Sequence, residues 1–130
     1  MPKPIVVDTD VLIDFLRGRE QAVSFVNVES ERIILSSIVV AELYAGARGG
    51  KGDTEQNTLE RFLSMFRIVH VTSEIARLGG LYKRDYGRSH GIGLADAIVA
   101  ATATLENAEL KTLNVKHYPM LNPIQPAYRK

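Results

Sequence analysis

Four short apolar runs, at residues 5–8, 33–36, 68–71 and 109–113, are separated by longer stretches whose apolar residues recur at helical spacing. This alternation restricts the fold more than any other feature of the chain. Strand, helix and strand in succession pair in parallel through right-handed crossovers, so the pattern predicts an α/β fold. The expected architecture is three-layer α/β/α, with a mainly parallel central sheet between helices. Val11, Leu12, Phe15 and Leu16 share a helical face until Gly18 ends it, and residues 20–28 form a second helix. Further helices are marked by Val40, Leu43, Tyr44 and Ala47, and then by Leu59, Phe62, Leu63 and Phe66. A fifth begins at an N-cap on Thr72 or Ser73 and runs through Tyr82 to Tyr86, and a sixth spans 94–107. Residues 49–53 and the polar, glycine-rich 87–93 read as loops, and Pro119, Pro123 and Pro126 punctuate the tail. With 130 residues, 45% of them hydrophobic, and no internal repeat, the expectation is a single domain over 1–130.

Ligands of open parallel sheets bind beyond the strand carboxyl ends. Asp8 stands at such an end. Between Lys3 and Asp14 the only charges are Asp8 and Asp10; from Ile33 to Ala47 the only one is Glu42; from Leu94 to Leu105 it is Asp96. The other acids, such as Glu29, Glu55 and Glu106, stand in mixed-charge surroundings and read as solvated. The last window is apolar on every side of its helix, which marks a buried one. Each acid has a plainer reading: Asp96 as a cap in its helix's first turn, Glu42 as a solvated residue opposite the Val40, Leu43, Tyr44 stripe, and Asp10 as N-cap of a helix starting at Val11. A lone buried carboxylate is costly, but several can share that cost by converging on a divalent cation.

The chain has no cysteine, so a bound metal must take oxygen or imidazole ligands. Carboxylates suit Mg²⁺ or Mn²⁺, which polarise a phosphate and lower the pKa of a bound water. The net charge of +1 decides nothing about nucleic acid. Its distribution suggests local basic patches, one around Arg77, Lys83, Arg84 and Arg88, another around Lys111, Lys116, Arg129 and Lys130. No apolar run approaches the roughly 20 residues of a membrane-spanning helix, and the start Met1-Pro2-Lys3-Pro4 lacks a leader pattern, so the expected location is cytoplasmic.

Asp8-Thr9-Asp10-Val11-Leu12-Ile13, Ser37-Ile38-Val39-Val40-Ala41-Glu42-Leu43, Leu94-Ala95-Asp96-Ala97-Ile98-Val99-Ala100 and Leu110-Lys111-Thr112-Leu113-Asn114-Val115-Lys116-His117-Tyr118 follow one another in the chain. In order and spacing they resemble the four motifs of the PIN-domain family, and more narrowly those of VapC-type toxins from toxin–antitoxin pairs. The resemblance spans residues 5–124. It implies a compact nuclease that cuts single-stranded or loop RNA with Mg²⁺ or Mn²⁺, usually as a homodimer. It also implies a small antitoxin protein that holds the toxin inactive, with DNA reached only through that partner.

Residue by residue, Asp8, Glu42 and Asp96 match the family's acidic triad, and Asp10 stands where Asn is more common. The resemblance then implies that Asp8 and Asp96 hold the metal while Glu42 positions or deprotonates the attacking water. Asp10, Thr112 and Asn114 are supporting candidates, with Thr112 a possible hydrogen-bond donor to the carboxylates. Arg84, Arg88, Lys111, Lys116 and His117 are candidates for contact with the RNA backbone. One departure matters: many relatives carry an acid at the position of Asn114 or of His117, and this chain has neither, which lowers the charge open to a second metal. Two rivals stay open. One is a PIN-fold binding module whose weakened fourth motif leaves only dimerisation and partner binding. The other is a haloacid-dehalogenase-type phosphatase with Asp8 as nucleophile, since Gly93-Leu94-Ala95-Asp96 loosely resembles the late acidic loop of those enzymes.

Overall fold

The computed structural model describes residues 2–46, 54–121 and 124–129. Ala47, the 49–53 loop, Pro123 and Lys130 lie outside the described residues. Strands β1 (Ile5–Val7), β2 (Ile33–Ser36), β3 (Arg67–Val69) and β4 (Glu109–Lys111) form one sheet in the order β3-β2-β1-β4. Every pairing is parallel, with Val6 opposite Ile34 on one side and Leu110 on the other. β1 and β2 are buried throughout, as strands covered on both faces must be.

Six helices accompany the sheet among the described residues: α1 (Thr9–Leu16), α2 (Glu20–Glu29), α3 (Ser37–Gly46), α4 (Thr54–Leu63), α5 (Ser73–His90) and α6 (Leu94–Leu105). α6 buries Ala97, Val99, Ala100, Ala101, Thr102 and Ala103, consistent with its all-round apolar sequence. Small residues let α5 lie close against it: a Cβ on Gly79 would stand 2.9 Å from Ile98 Cγ1 and 3.0 Å from Ile98 Cα. Phe15 of α1 stacks on Phe62 of α4 with centroids 4.9 Å apart, and Phe66, beyond the end of α4, meets Phe62 edge-on at 5.1 Å.

Several boundaries differ from expectation: β3 covers Arg67–Val69 rather than 68–71, β4 stops at Lys111 rather than 113, α6 stops at Leu105 rather than 107, and two helix ends differ in ways that bear on the site. The fifth helix does not stop near Tyr86 but continues to His90, and only Gly91, at φ 72°, ends it in the left-handed region that glycine favours. Gly87 is tolerated in that extension because Lys83 lies against it and donates Nζ to the Ile92 carbonyl at 2.9 Å. Tyr82, Tyr86 and His90 meet at successive i, i+4 steps along the same helix, which supports the added turn. The first helix begins at Thr9 rather than Val11, so its N-cap is Asp8 and not Asp10.

The strand order places a switch point at β1. The chain leaves β1 towards β2 and β3, then returns to pair β4 on the other side of β1. Crossovers that diverge in this way open a crevice beyond the strand ends. Asp8 follows β1 and Thr112 follows β4 at that point, and Asp8 N donates to Lys111 O at 3.0 Å.

Candidate active site

Asp8 is 3% exposed and leaves β1 with extended backbone before α1 begins. Its Oδ1 accepts from Thr9 N at 2.9 Å, the N-cap bond of α1. Its Oδ2 accepts from Thr112 Oγ1 at 2.8 Å and from the Tyr118 hydroxyl at 2.8 Å. Asp10, in the first turn of the same helix, accepts from Val11 N at 2.7 Å through Oδ1 and from Leu113 N at 3.0 Å through Oδ2. Thr112 lies between the two acids: its hydroxyl stands 3.3 Å from Asp10 Oδ2 as well, and it accepts from Asn114 N at 3.1 Å. Thr112 therefore reaches both carboxylates through one hydroxyl. Asn114 turns its amide nitrogen, not its oxygen, towards Asp10 Oδ2 at 3.4 Å.

α3 brings in the third acid. Glu42 is half-buried rather than solvated, and its Oε1 accepts from Thr9 Oγ1 at 2.7 Å. α6 supplies the fourth, Asp96, in its first turn. Burial first, and then the charges of Asp8, Glu42 and Asp10, push Asp96 up to about 6, while the Tyr118 hydroxyl eases its ionisation. Asp10 is likewise pushed up to about 6, by burial and then by the charge of Asp8, against the backbone donors of Leu113 and Val11. Among the described residues no lysine or arginine makes an ion pair with any of the four. Four carboxylates from three elements therefore repel one another in a partly buried crevice. An all-oxygen donor set of this kind fits a hard divalent cation. Among the described residues no three acids close on a single point as a finished cage.

The sequence profile of the PIN domain matches residues 5–117, most of the chain and all four acids. The chain belongs to the PIN domain family. Ribonuclease VapC19 of Mycobacterium tuberculosis is 41% identical to this PIN domain, over 95% of this chain and 98% of that protein. Ribonuclease VapC10 of the same organism is 40% identical, over 95% and 92%. Among solved structures, a toxin–antitoxin complex from Klebsiella pneumoniae aligns with a TM-score of 0.80 at 30% identity, covering 97% of this chain and 99% of that one.

The basic candidates of the PIN domain are dispersed. Arg84 is exposed and gives its Nε to Asp85 at 2.8 Å, and Arg88 lies exposed in the last turn of α5. Lys111 is half-buried at the end of β4, and Lys116 is exposed in the short turn of residues 115–117. His117 lies near Gly91 at the end of α5, with its Nδ1 buried and unpartnered. Sequence reading passed over two site residues and one further buried acid. Thr9, which orients Glu42, and Tyr118, which is fully buried against Asp8, both lie inside quoted motifs but carry no charge to draw notice. A signal for Tyr118 was available, because a core tyrosine needs a hydrogen-bond partner and core phenylalanine does not. The third is Asp14, a buried acid at the edge of an apolar window, 5% exposed and accepting from the Tyr128 hydroxyl at 2.7 Å.

Proposed function

We propose that this PIN domain is a Mg²⁺- or Mn²⁺-dependent endoribonuclease acting on single-stranded or loop RNA, and the toxin of a toxin–antitoxin pair. The observation that carries this reading is the set of four carboxylates, Asp8, Asp10, Glu42 and Asp96, gathered at the sheet's switch point with two of them held near pKa 6. The names of its relatives, ribonucleases at about 40% identity, support the same activity. A bound divalent ion supplies Lewis-acid polarisation of the phosphate and screens the acids from an anionic backbone. Asp8 and Asp96 hold it, directly or through water. Glu42, oriented by Thr9, positions the attacking water and takes its proton, and displacement of the 3′ oxygen at phosphorus leaves a 5′-phosphate. Lys111, Lys116, His117, Arg84 and Arg88 are the basic residues available to the backbone of the RNA.

By the same reading the domain works as a cytoplasmic homodimer restrained by a small antitoxin, and reaches DNA only through that partner. The toxin–antitoxin complex among its structural neighbours supports the pairing, and no helix among the described residues is long and apolar enough to cross a membrane. Asn114 favours one second reading. By donating to Asp10 it steadies an existing acid instead of adding one, as a binding module with weakened catalysis would require. The phosphatase reading loses support, since Glu42 joins Asp8 through Thr9 in the same carboxylate set, and a nucleophilic Asp8 gives that glutamate no role.

Cleavage of a mixed pool of structured RNAs by the purified chain, with Mg²⁺, with Mn²⁺ and with chelator, tests the proposal. Cutting is expected with either ion, with Glu42→Gln slower by roughly 10²–10⁴-fold and Asp96→Asn inactive. Full activity in chelator, or in Asp96→Asn, overturns the assignment. RNA binding without cutting under any ion supports the binding module instead.

A further inference from the structure

Asp8 presents two oxygens, with about four lone-pair sites between them. Thr9 N takes one site on Oδ1, and as the N-cap bond of α1 it cannot move without unwinding the first turn. The other two donors are side chains, and both point at Oδ2: Thr112 Oγ1 and the Tyr118 hydroxyl, each at 2.8 Å. One site then remains, on Oδ1. Thr112 divides its hydroxyl among Asp8, Asp10 and Asn114, and the Tyr118 hydroxyl, which also faces Asp96, donates to Asp8 at the same 2.8 Å. Tyr118 also has little freedom to do otherwise. Its side chain is fully buried, its N donates to Val115 O at 3.1 Å and its O accepts from Leu121 N at 3.1 Å, between two consecutive 3₁₀ turns. A phenylalanine would pack the same core volume, so the hydroxyl calls for its own explanation.

We propose that Tyr118 is a positioning residue for metal binding: together with Thr112 it occupies Asp8 Oδ2, so that Asp8 meets a divalent cation through Oδ1 alone. The proposal rests on the metal-dependent reading above and names what fixes the geometry of its first ligand. Without the hydroxyl, Asp8 stays held by Thr9 N and Thr112 but a site on Oδ2 opens, so the carboxylate offers either oxygen and the choice is left to the moment the ion binds.

The test is Mn²⁺ titration of the full chain by calorimetry, for wild type, Tyr118→Phe and Thr112→Val, with melting temperatures in chelator measured alongside. The expected result for Tyr118→Phe is a dissociation constant about tenfold higher, with a melting temperature moved by only a few degrees. The Mg²⁺ concentration for half-maximal cleavage rises in parallel, while the rate at saturating Mg²⁺ is largely kept. Thr112→Val, which removes the other donor to the same oxygen, weakens binding in the same direction. Unchanged Mn²⁺ affinity in Tyr118→Phe overturns the proposal while leaving the metal reading intact. Failure of Tyr118→Phe to fold overturns it too, because the hydroxyl is then needed for the fold itself. A wild-type chain that binds no Mn²⁺ overturns both readings.

Discussion

Asp96 is a carboxylate whose ionisation the fold opposes through three others, with burial first and then Asp8, Glu42 and Asp10 raising it from 3.8 to about 6. A carboxylate raised in the folded state costs stability as it ionises there. The cost is absent below the unfolded value, grows between 3.8 and about 6, and is constant above. Asp96→Asn mimics the protonated acid, so in chelator it is predicted to melt at the wild-type temperature near pH 4 and above it from pH 6 upwards. A set of melting curves across that range checks the sign, and a variant less stable than wild type at pH 7.5 contradicts it. Activity has the opposite demand, because a cation needs the ionised form. At limiting Mg²⁺ the acid limb of the rate should therefore lie near pH 6 and move lower as Mg²⁺ is raised. Asp8, Glu42 and Asp96 were legible in the sequence because a charge in an apolar window is conspicuous. Thr9 and Tyr118 were not, since a neutral hydroxyl in an apolar run looks like packing until its partner is placed beside it.

Among the elements, the pairing of α5 with α6 decides where the N-terminus of α6, and so Asp96, comes to rest. Gly79 sets the approach: a Cβ there meets the backbone and side chain of Ile98 at 2.9–3.0 Å. Gly80, one position on, faces open space. Gly79→Ala is predicted to cost about 1–3 kcal/mol through overpacking, less what alanine returns in helix propensity, and to lower cleavage by displacing α6. Gly80→Ala should instead stabilise the chain by up to about 1 kcal/mol. Urea denaturation separates the two, and equal effects would show that the helix contact is not what limits position 79. The periodicity of α5 and α6 was readable from the sequence. The end of α5 was not: Gly87 signals a stop locally, and the Lys83 contact that carries the helix past it reaches Ile92, nine residues on and inside the expected loop.

For the molecule as a whole, the C-terminal tail closes the fold back onto its beginning. Pro126 bridges Thr112 in parallel, Ala127 N donates to Thr112 O at 3.2 Å, and Tyr128 reaches Asp14 of α1 while its ring leans on Phe25 of α2. Tyr128→Phe removes from buried Asp14 the donor at 2.7 Å, with Arg19 Nε at 3.6 Å among the partners that stay. The predicted cost is about 1–3 kcal/mol of unfolding free energy at neutral pH, measured by urea denaturation. A change below a few tenths would mean that the remaining partners of Asp14 suffice. By itself the sequence determined the order of strands and helices, their parallel pairing and the identity of the acids, because hydrophobic period and misplaced charge are local signals. Only the tertiary structure decided that Asp8 rather than Asp10 caps α1, that Asp14 belongs with the tail, and that Tyr118 bonds to Asp8. Those last two residues are 110 positions apart, and they meet only because β4 returns beside β1 at the switch point of the sheet.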